Sequence, residues 1–465
     1  MKQSMTKITK YKAELSIFLL ACVVLLVLGR LYGTRYYIAW PDETLFTDIA
    51  QSFANGGPFG APSYTGNGMG VDQKTYFMPP LYPLLLTLWY KLVPSTLAAA
   101  RLLSNLIAIF SLGAIFSLLR TFDRPAALGG LVALALALNI DFAFLYNWAR
   151  PDILALTLSL LAISTYVYGL NQNPNEFHKF LAGGWCLATL GMLTHPVGGF
   201  IGFAAIPLHM LFTRMGNFAQ LRTWLIFIGI PLLGIALWGI YILQDWDNFY
   251  FQMVEWQTAR KANRFTTGAS IGLNLWKTIN FYGVLGSGWK GAISSIVLVI
   301  LAIKAAFEKD RRRPVLLAVL MILISNFVVT FGWEMPYPPL RLAPLYFGLA
   351  LLADPAAFHQ LSRGLRDWRQ ALAITPAIFT AIVLSILFIT STISTVQLVR
   401  EVRFSPRASA YEPATLANEI IQRTSPNKSI GIRLYPECLD LLNQSGHFSK
   451  ISKLAGSHLT QDEFT

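Results

Sequence analysis

Two adjacent acids, Asp42 and Glu43, open a segment in which Leu45, Phe46, Ile49, Ala50 and Phe53 recur at helical spacing. That is the pattern of an amphipathic helix lying along an interface. Carboxylates in the first turn of a helix are held ionised by its dipole, which suits a proton acceptor or an electrostatic stabiliser. The same place suits an ordinary cap, with Asp42 accepting from backbone amides and Glu43 in the favoured first turn. Geometry alone leaves both readings open.

Other charges stand where long apolar stretches begin. Arg150-Pro151-Asp152 opens one such stretch, as either a functional pair or a snorkelling cation beside a helix-capping acid. His195, in Thr194-His195-Pro196, has no His or Cys at ligand spacing nearby, so a hydrogen-bonded turn histidine is favoured over a metal ligand. Arg260, Lys261 and Arg264 fall within about one helical turn and could clamp an anion or meet lipid phosphates. Arg341 follows Glu334-Met335-Pro336-Tyr337-Pro338-Pro339, where it could contact a phosphodiester or merely anchor a helix. Tyr82 closes Pro79-Pro80-Leu81-Tyr82, which reads as a short interfacial helix with proline in its first turn. The glycine-rich run from Asn55 to Gly70 lacks the spacing of a phosphate-binding loop and reads as a pliable connection.

The elements that must position these groups are apolar. Of the 465 residues 54% are hydrophobic and 13% charged, at a mean hydropathy of +0.49. No soluble fold buries that much apolar surface, and the charged fraction is half the globular norm. Hydrophobic stretches fall near 15–32, 97–119, 126–140, 152–170, 179–194, 196–213, 223–243, 290–307, 314–332, 341–354 and 371–397, about eleven spans by length and periodicity. The expected fold is therefore an all-α polytopic membrane protein. The basic N-terminus before Leu15 to Leu31 lacks a small-x-small cleavage site and reads as an uncleaved anchor.

Alternate loops carry Arg120 and Arg124, His178 and Lys179, Arg214 and Arg222, Lys304 to Arg313, and Arg363 to Arg369. Positive loops stay inside, so the N-terminus is expected in the cytoplasm and the two long loops, 33–96 and 244–289, outside. The bacterial inner membrane is the expected address. Asp42, Glu43, Arg150, Asp152, His195, Arg260, Lys261, Arg264, Glu334 and Arg341 all fall on that outer side, as a shared cavity would require. Residues 1–397 form the expected transmembrane unit. The tail 398–465 reads as a small α/β segment on the outer face, with a helix near Pro413 to Arg423, a strand near Ser429 to Tyr435 and a helix from Pro436. A net charge of +13 invites nucleic acid, but the basic residues cluster beside apolar segments, which points to anionic lipid instead. The three cysteines, Cys22, Cys186 and Cys438, define no disulfide framework.

The order of motifs resembles the GT-C superfamily of integral membrane glycosyltransferases, in the branch of protein O-mannosyltransferases and lipid A aminoarabinose transferases. Asp42-Glu43, Pro79-Pro80-Leu81-Tyr82, Ala100-Arg101-Leu102-Leu103-Ser104, Arg150-Pro151-Asp152, Thr194-His195-Pro196 and Arg341-Leu342-Ala343-Pro344 carry the resemblance over about the first 350 residues. It implies a GT-C-like bundle and a polyprenyl-phosphate-linked sugar donor. It further implies a glycan, lipid or protein acceptor and inverting transfer. Asp42 would be the base, with Glu43 and Asp152 shaping the site. Arg150, Arg260, Lys261, Arg264 and Arg341 would meet the donor phosphate, and Tyr82, His195 and Glu334 would line the pocket. No cofactor is firmly implied, no residue is assigned as a metal ligand, and a divalent metal stays open. Where the aminoarabinose branch has a lysine before the proline pair, this chain has Met78. The competing class is a transporter or flippase of a lipid-linked glycan, which would place acids near the bilayer midplane and break helices in paired repeats.

Overall fold

Apolar runs fold as long helices, and Pro41, Pro151, Pro174 and Pro196 each open one. In the computed structural model the described residues are 2–35, 41–65, 70–213, 220–256, 258, 288–307, 312–332, 338–353, 368–404, 418, 421–423, 426, 429–432 and 450–453. The helices are α1 (Lys2–Arg35), α2 (Pro41–Ala54), α3 (Leu81–Tyr90), α4 (Leu97–Thr121) and α5 (Ala126–Leu138). They continue with α6 (Ile140–Asn147), α7 (Pro151–Leu170), α8 (Pro174–Met192), α9 (Pro196–Thr213) and α10 (Leu221–Ile242). After α11 (Trp246–Tyr250) and a π-helical turn at Phe251–Glu255 come α12 (Gly288–Phe307), α13 (Arg312–Gly332), α14 (Leu342–Leu352) and α15 (Trp368–Phe404). Among the described residues six helices are long and apolar enough to cross a membrane, or seven if the bent pair α5–α6 counts as one span. The chain is a multi-pass membrane protein whose described spans form a helical bundle, and a helix lies at each stretch where hydropathy placed a span.

The α7 helix is the axis, packed by α4, α8 and α9 and buried along most of its length. In lipid, helices associate through close packing of small residues and shared hydrogen bonds. The α7–α9 contact shows both. A Cβ on Gly202 would meet Ser159 Cα at 2.9 Å, and Ser159 Oγ donates to the Gly198 carbonyl at 2.8 Å. The neighbouring helices α8 and α9 form a tight hairpin in which Gly191 and Gly199 meet back to back. Proline at 196 disfavours helix in the residue before it, which ends the hairpin's turn at Thr194-His195.

Two regions differ from the expectation. The stretch expected as one span over 126–140 ends at Leu138, and the chain turns by 73° into α6. Asn139 causes this locally: its side-chain oxygen accepts from the amides of Asp141 and Phe142 at 3.0 and 3.1 Å, capping the new helix. Its Nδ2 donates to the Tyr346 hydroxyl at 3.2 Å. The stretch expected at 341–354 is a short 3-10 turn, Pro338–Arg341, followed by α14, whose residues are all buried.

The amphipathic segment after Pro41 and the segment after Pro80 are helical as expected, and a 3-10 turn at Pro62–Tyr64 lies between them. Leu45 and Ile49 of α2 pack with Ala61, Tyr64 and Val71, joined by Phe59, Phe77 and Trp256. The tail contains a two-stranded parallel sheet, β1 (Ser429–Ile432) with β2 (Lys450–Lys453), in the register Ser429 to Lys450. The second strand has no counterpart in the sequence reading. Strand β2 lies against the 3-10 turn of the first long loop. The helix expected from Pro436 lies outside the described residues, as does most of that expected near 413–423.

Candidate active site

The α2 helix starts at Pro41, so Asp42 and Glu43 fall in its first turn. The α7 helix starts at Pro151, which puts Arg150 at its N-cap and Asp152 in its first turn. Proline is tolerated in a first turn because the amide it lacks has no helical partner there. Two helix N-termini thus meet, α2 bringing Asp42 and Glu43 and α7 bringing Asp152.

The two acids of α2 have different surroundings. Glu43 is fully buried, and its Oε1 accepts from Arg101 Nε at 2.9 Å and from the Ala149 amide at 2.8 Å, while Oε2 accepts from Arg101 Nη2 at 2.8 Å. A single carboxylate thereby ties α2 to α4 and to the loop before Arg150. Asp42 is 47% exposed at its side chain and pairs through Oδ2 with Arg150 Nη1. Arg150 also donates through Nε to Asp152 Oδ2 at 2.9 Å. A buried guanidinium so bridges one open acid and one closed acid.

His195 completes the group from the α8–α9 hairpin, with Nδ1 at 3.6 Å from Asp152 Oδ1. That distance exceeds a hydrogen bond, so the contact is electrostatic. Burial pushes the imidazole below its usual pKa, and Asp152 only partly offsets this, while Arg150 adds to the depression. A neutral histidine results. Asp152 Oδ1 has no hydrogen-bond partner among the described residues, a costly state for a buried carboxylate oxygen. Tyr82 is buried at the start of α3, its hydroxyl 3.5 Å from Ser104 Oγ and its ring edge-on to Phe46. Burial raises the phenol pKa, and the nearby Glu43 and Asp152 raise it further. It stays protonated.

The structure therefore gathers Asp42, Glu43, Arg150, Asp152, His195 and Tyr82. Arg341 sits half-buried on the 3-10 turn that packs against α6, the helix leading through Trp148 into the Arg150 loop. Arg260, Lys261, Arg264 and Glu334 lie outside the described residues. Two participants were not singled out from sequence. Arg101 appeared only inside a motif, although a cation opening an apolar span calls for a buried anionic partner, and that was the available signal. The Ala149 amide has no sequence signature. Among the described residues, no three His, Cys, Asp or Glu side chains are grouped as metal ligands would be.

Chemically, three carboxylates face two guanidiniums and a neutral imidazole. An exposed carboxylate can accept a proton, and the excess negative charge can stabilise an electron-poor centre. Charges gathered at one end of the bundle, inside a helical membrane protein, sit in an overall fold that this chain shares with solved membrane proteins. The particular likenesses are to ArnT from Cupriavidus metallidurans and to the oligosaccharyltransferase of Archaeoglobus fulgidus. ArnT bound to undecaprenyl phosphate matches at a TM-score of 0.58 and 15% identity over 92% of this chain and 84% of that one. Apo ArnT matches at 0.56 and 15% identity over 93% and 85%. The oligosaccharyltransferase in complex with Zn and sulfate matches at 0.51 and 13% identity over 95% of this chain and 63% of that one. Neither a family model nor a curated protein sequence matches the chain.

Proposed function

We propose that the protein is an inverting membrane glycosyltransferase that takes a sugar from a polyprenyl-phosphate donor and delivers it to an acceptor on the extracytoplasmic face. The observation that carries this reading is the pair Asp42–Arg150, an open acid held by a buried cation that also holds Asp152. It occurs in a fold shared with ArnT, which has been seen with undecaprenyl phosphate.

In the proposed step an acceptor hydroxyl or amine attacks the anomeric carbon from the side opposite the phosphate. Arg150 engages Oδ2 of Asp42, so Oδ1 takes the acceptor's proton. The new bond to the anomeric carbon forms as the carbon–oxygen bond to phosphate breaks, and its electron pair leaves on the polyprenyl phosphate. Asp152 Oδ1, buried and without a hydrogen-bond partner among the described residues, would accept from a sugar hydroxyl once the donor enters and stabilise positive charge at the anomeric carbon. Glu43, saturated by Arg101 and Ala149, holds the geometry. Arg341, Arg260, Lys261 and Arg264 remain the proposed phosphate ligands, with Glu334 at the pocket wall. Residues 1–397 form the proposed catalytic unit, with the N-terminus cytoplasmic and the tail extracytoplasmic.

The test is incubation of the purified protein with a panel of polyprenyl-phosphate sugars, following release of free lipid phosphate. Release that depends on Asp42 supports the reading. No release from any donor in the presence of an acceptor panel, with labelled lipid instead crossing vesicle membranes, would replace it by the transporter reading.

A further inference from the structure

The segment after α10 makes a contact that the proposed chemistry does not use. Gln252 is fully buried in the π-helical turn Phe251–Glu255. Its Oε1 accepts from the amides of Tyr76 and Phe77 at 2.7 and 3.2 Å. Its Nε2 donates to the carbonyls of Gly70 and Lys74 at 2.6 and 2.8 Å and to Asn248 Oδ1 at 3.0 Å. A side-chain amide carries two donor hydrogens and a two-fold acceptor, so its capacity is filled, with one hydrogen shared, and four of the five partners are one stretch of foreign backbone. π-Turns inside helices occur often at functional sites, because the extra residue re-aims a side chain.

The stretch it holds leads to the proposed base. Phe77, whose amide Gln252 accepts, stacks on Phe46 of α2 at a ring separation of 6.3 Å. Val71 and Phe77 pack with Leu45 and Ile49 on the underside of the same helix, and Trp256, one turn beyond Gln252, joins that cluster. Four residues past Phe77 the Leu81 amide donates to the Leu193 carbonyl at 3.3 Å, tying the loop to the hairpin that carries His195. Residues 70–81 are thus fixed at one end by Gln252 and at the other by the hairpin, with α2 between.

We propose that Gln252 is a positioning residue: it locks residues 70–77 against α2 and so sets the place of Asp42 relative to Arg150. This inference rests on the reading of Asp42 as the base. Losing the lock displaces α2 without removing any reacting group, so the expected signature is a fall in kcat with donor KM nearly unchanged.

The test compares Gln252→Ala and Gln252→Glu with the wild-type protein in detergent or nanodiscs. Amide hydrogen exchange at Tyr76 and Phe77 is expected to rise by about a hundredfold in the alanine variant, whichever reaction the protein catalyses. Transfer from the polyprenyl-phosphate sugar is expected to lose about tenfold to a hundredfold in kcat per folded molecule, with donor KM within about twofold. The glutamate variant separates positioning from mere stability. As an ionised carboxylate it offers no donor to Gly70, Lys74 and Asn248, whereas its protonated form restores one. Its exchange protection and its activity relative to wild type are therefore expected to recover as pH falls from about 8 to about 5. Unchanged exchange at Tyr76 and Phe77, or raised exchange with unaltered kcat, overturns the inference. A wild-type protein inactive with every donor would instead defeat the glycosyltransferase reading, and the exchange measurement would still decide whether the lock exists.

Discussion

Glu43 and Arg101 meet as a two-pronged pair, Nε to Oε1 at 2.9 Å and Nη2 to Oε2 at 2.8 Å, with the glutamate fully buried and the arginine nearly so. The pair joins the first turn of α2 to the first turns of α4. Removing one partner strands a buried charge. Glu43→Leu and Arg101→Met are each expected to destabilise the fold by about 3–5 kcal/mol, while the two together recover most of that loss. Thermal unfolding in detergent measures it. Additive losses in the double variant would show that the two side chains do not act as a pair.

Asp42 stands beside this brace without belonging to it. Its side chain is 47% exposed, so Asp42→Asn keeps shape and polarity at little cost to stability. Sugar transfer is expected to fall by about 10²–10⁴-fold with an unchanged melting temperature, the range for losing a general base. A variant that transfers at the wild-type rate would remove Asp42 from the mechanism.

Arg150 touches Asp42 through Nη1 and Asp152 through Nε, a geometry that only a forked cation provides. Arg150→Lys keeps the charge but can reach one acid at a time. Transfer is expected to drop by about tenfold or more, almost as far as for Arg150→Ala. Full rescue by lysine would mean that charge alone matters.

His195 makes stability depend on pH. Burial holds its pKa below the usual value, so the folded state binds its proton less readily than the unfolded chain does. The neutral imidazole contributes fully above the unfolded pKa of about 6.5, and the contribution is lost as pH falls through the lower folded value. The melting temperature should therefore decline on acidification below about 6.5, and His195→Gln should flatten that component. Equal slopes for the two proteins between about pH 7 and about pH 5 would contradict the assignment.

Glycines at helix contacts give a prediction of opposite signs. A Cβ on Gly199 would overlap the Gly191 carbonyl, whereas one on Gly229 of α10 meets nothing within 4 Å. Gly199→Ala is expected to cost about 1–3 kcal/mol through forced separation of α8 and α9. Gly229→Ala is expected to be neutral or to stabilise by up to about 1 kcal/mol. Melting temperatures of the two variants decide it.

Much of this was legible because hydropathy is a one-dimensional signal. The apolar runs, the proline-led starts of α2 and α7, and the acids and cation behind them are local facts, and the fold preserved them. Side-chain pairing across the bundle is not local. Arg101 to Glu43 spans 58 positions and Ala149 to Glu43 spans 106. Nothing in either segment names its partner, so before Arg101 was placed beside Glu43 only the resemblance told the two acids of α2 apart. The turn at Asn139 was missed for a different reason. A continuous apolar run hides a break that one short polar side chain can cap, and the Tyr346 hydroxyl that receives Asn139 Nδ2 lies 207 positions away. Gln252 left no trace because a glutamine near aromatic residues at an interface is unremarkable until its five partners are known.

The same 73° turn bears on how the chain is made. Kept straight, residues 126–147 would reach about 33 Å, enough to cross the hydrocarbon core in one pass. A nascent chain has Asn139 long before Tyr346, and until α14 arrives only the local cap favours the corner. The corner is therefore expected to gain its second hold, the Tyr346 hydroxyl, only after α14 has been made and packs against α5. Ribosome-tethered intermediates truncated ahead of α14 would hold the corner by the Asn139 cap alone, so the two ends of 126–147 would be less firmly angled there than in the finished bundle.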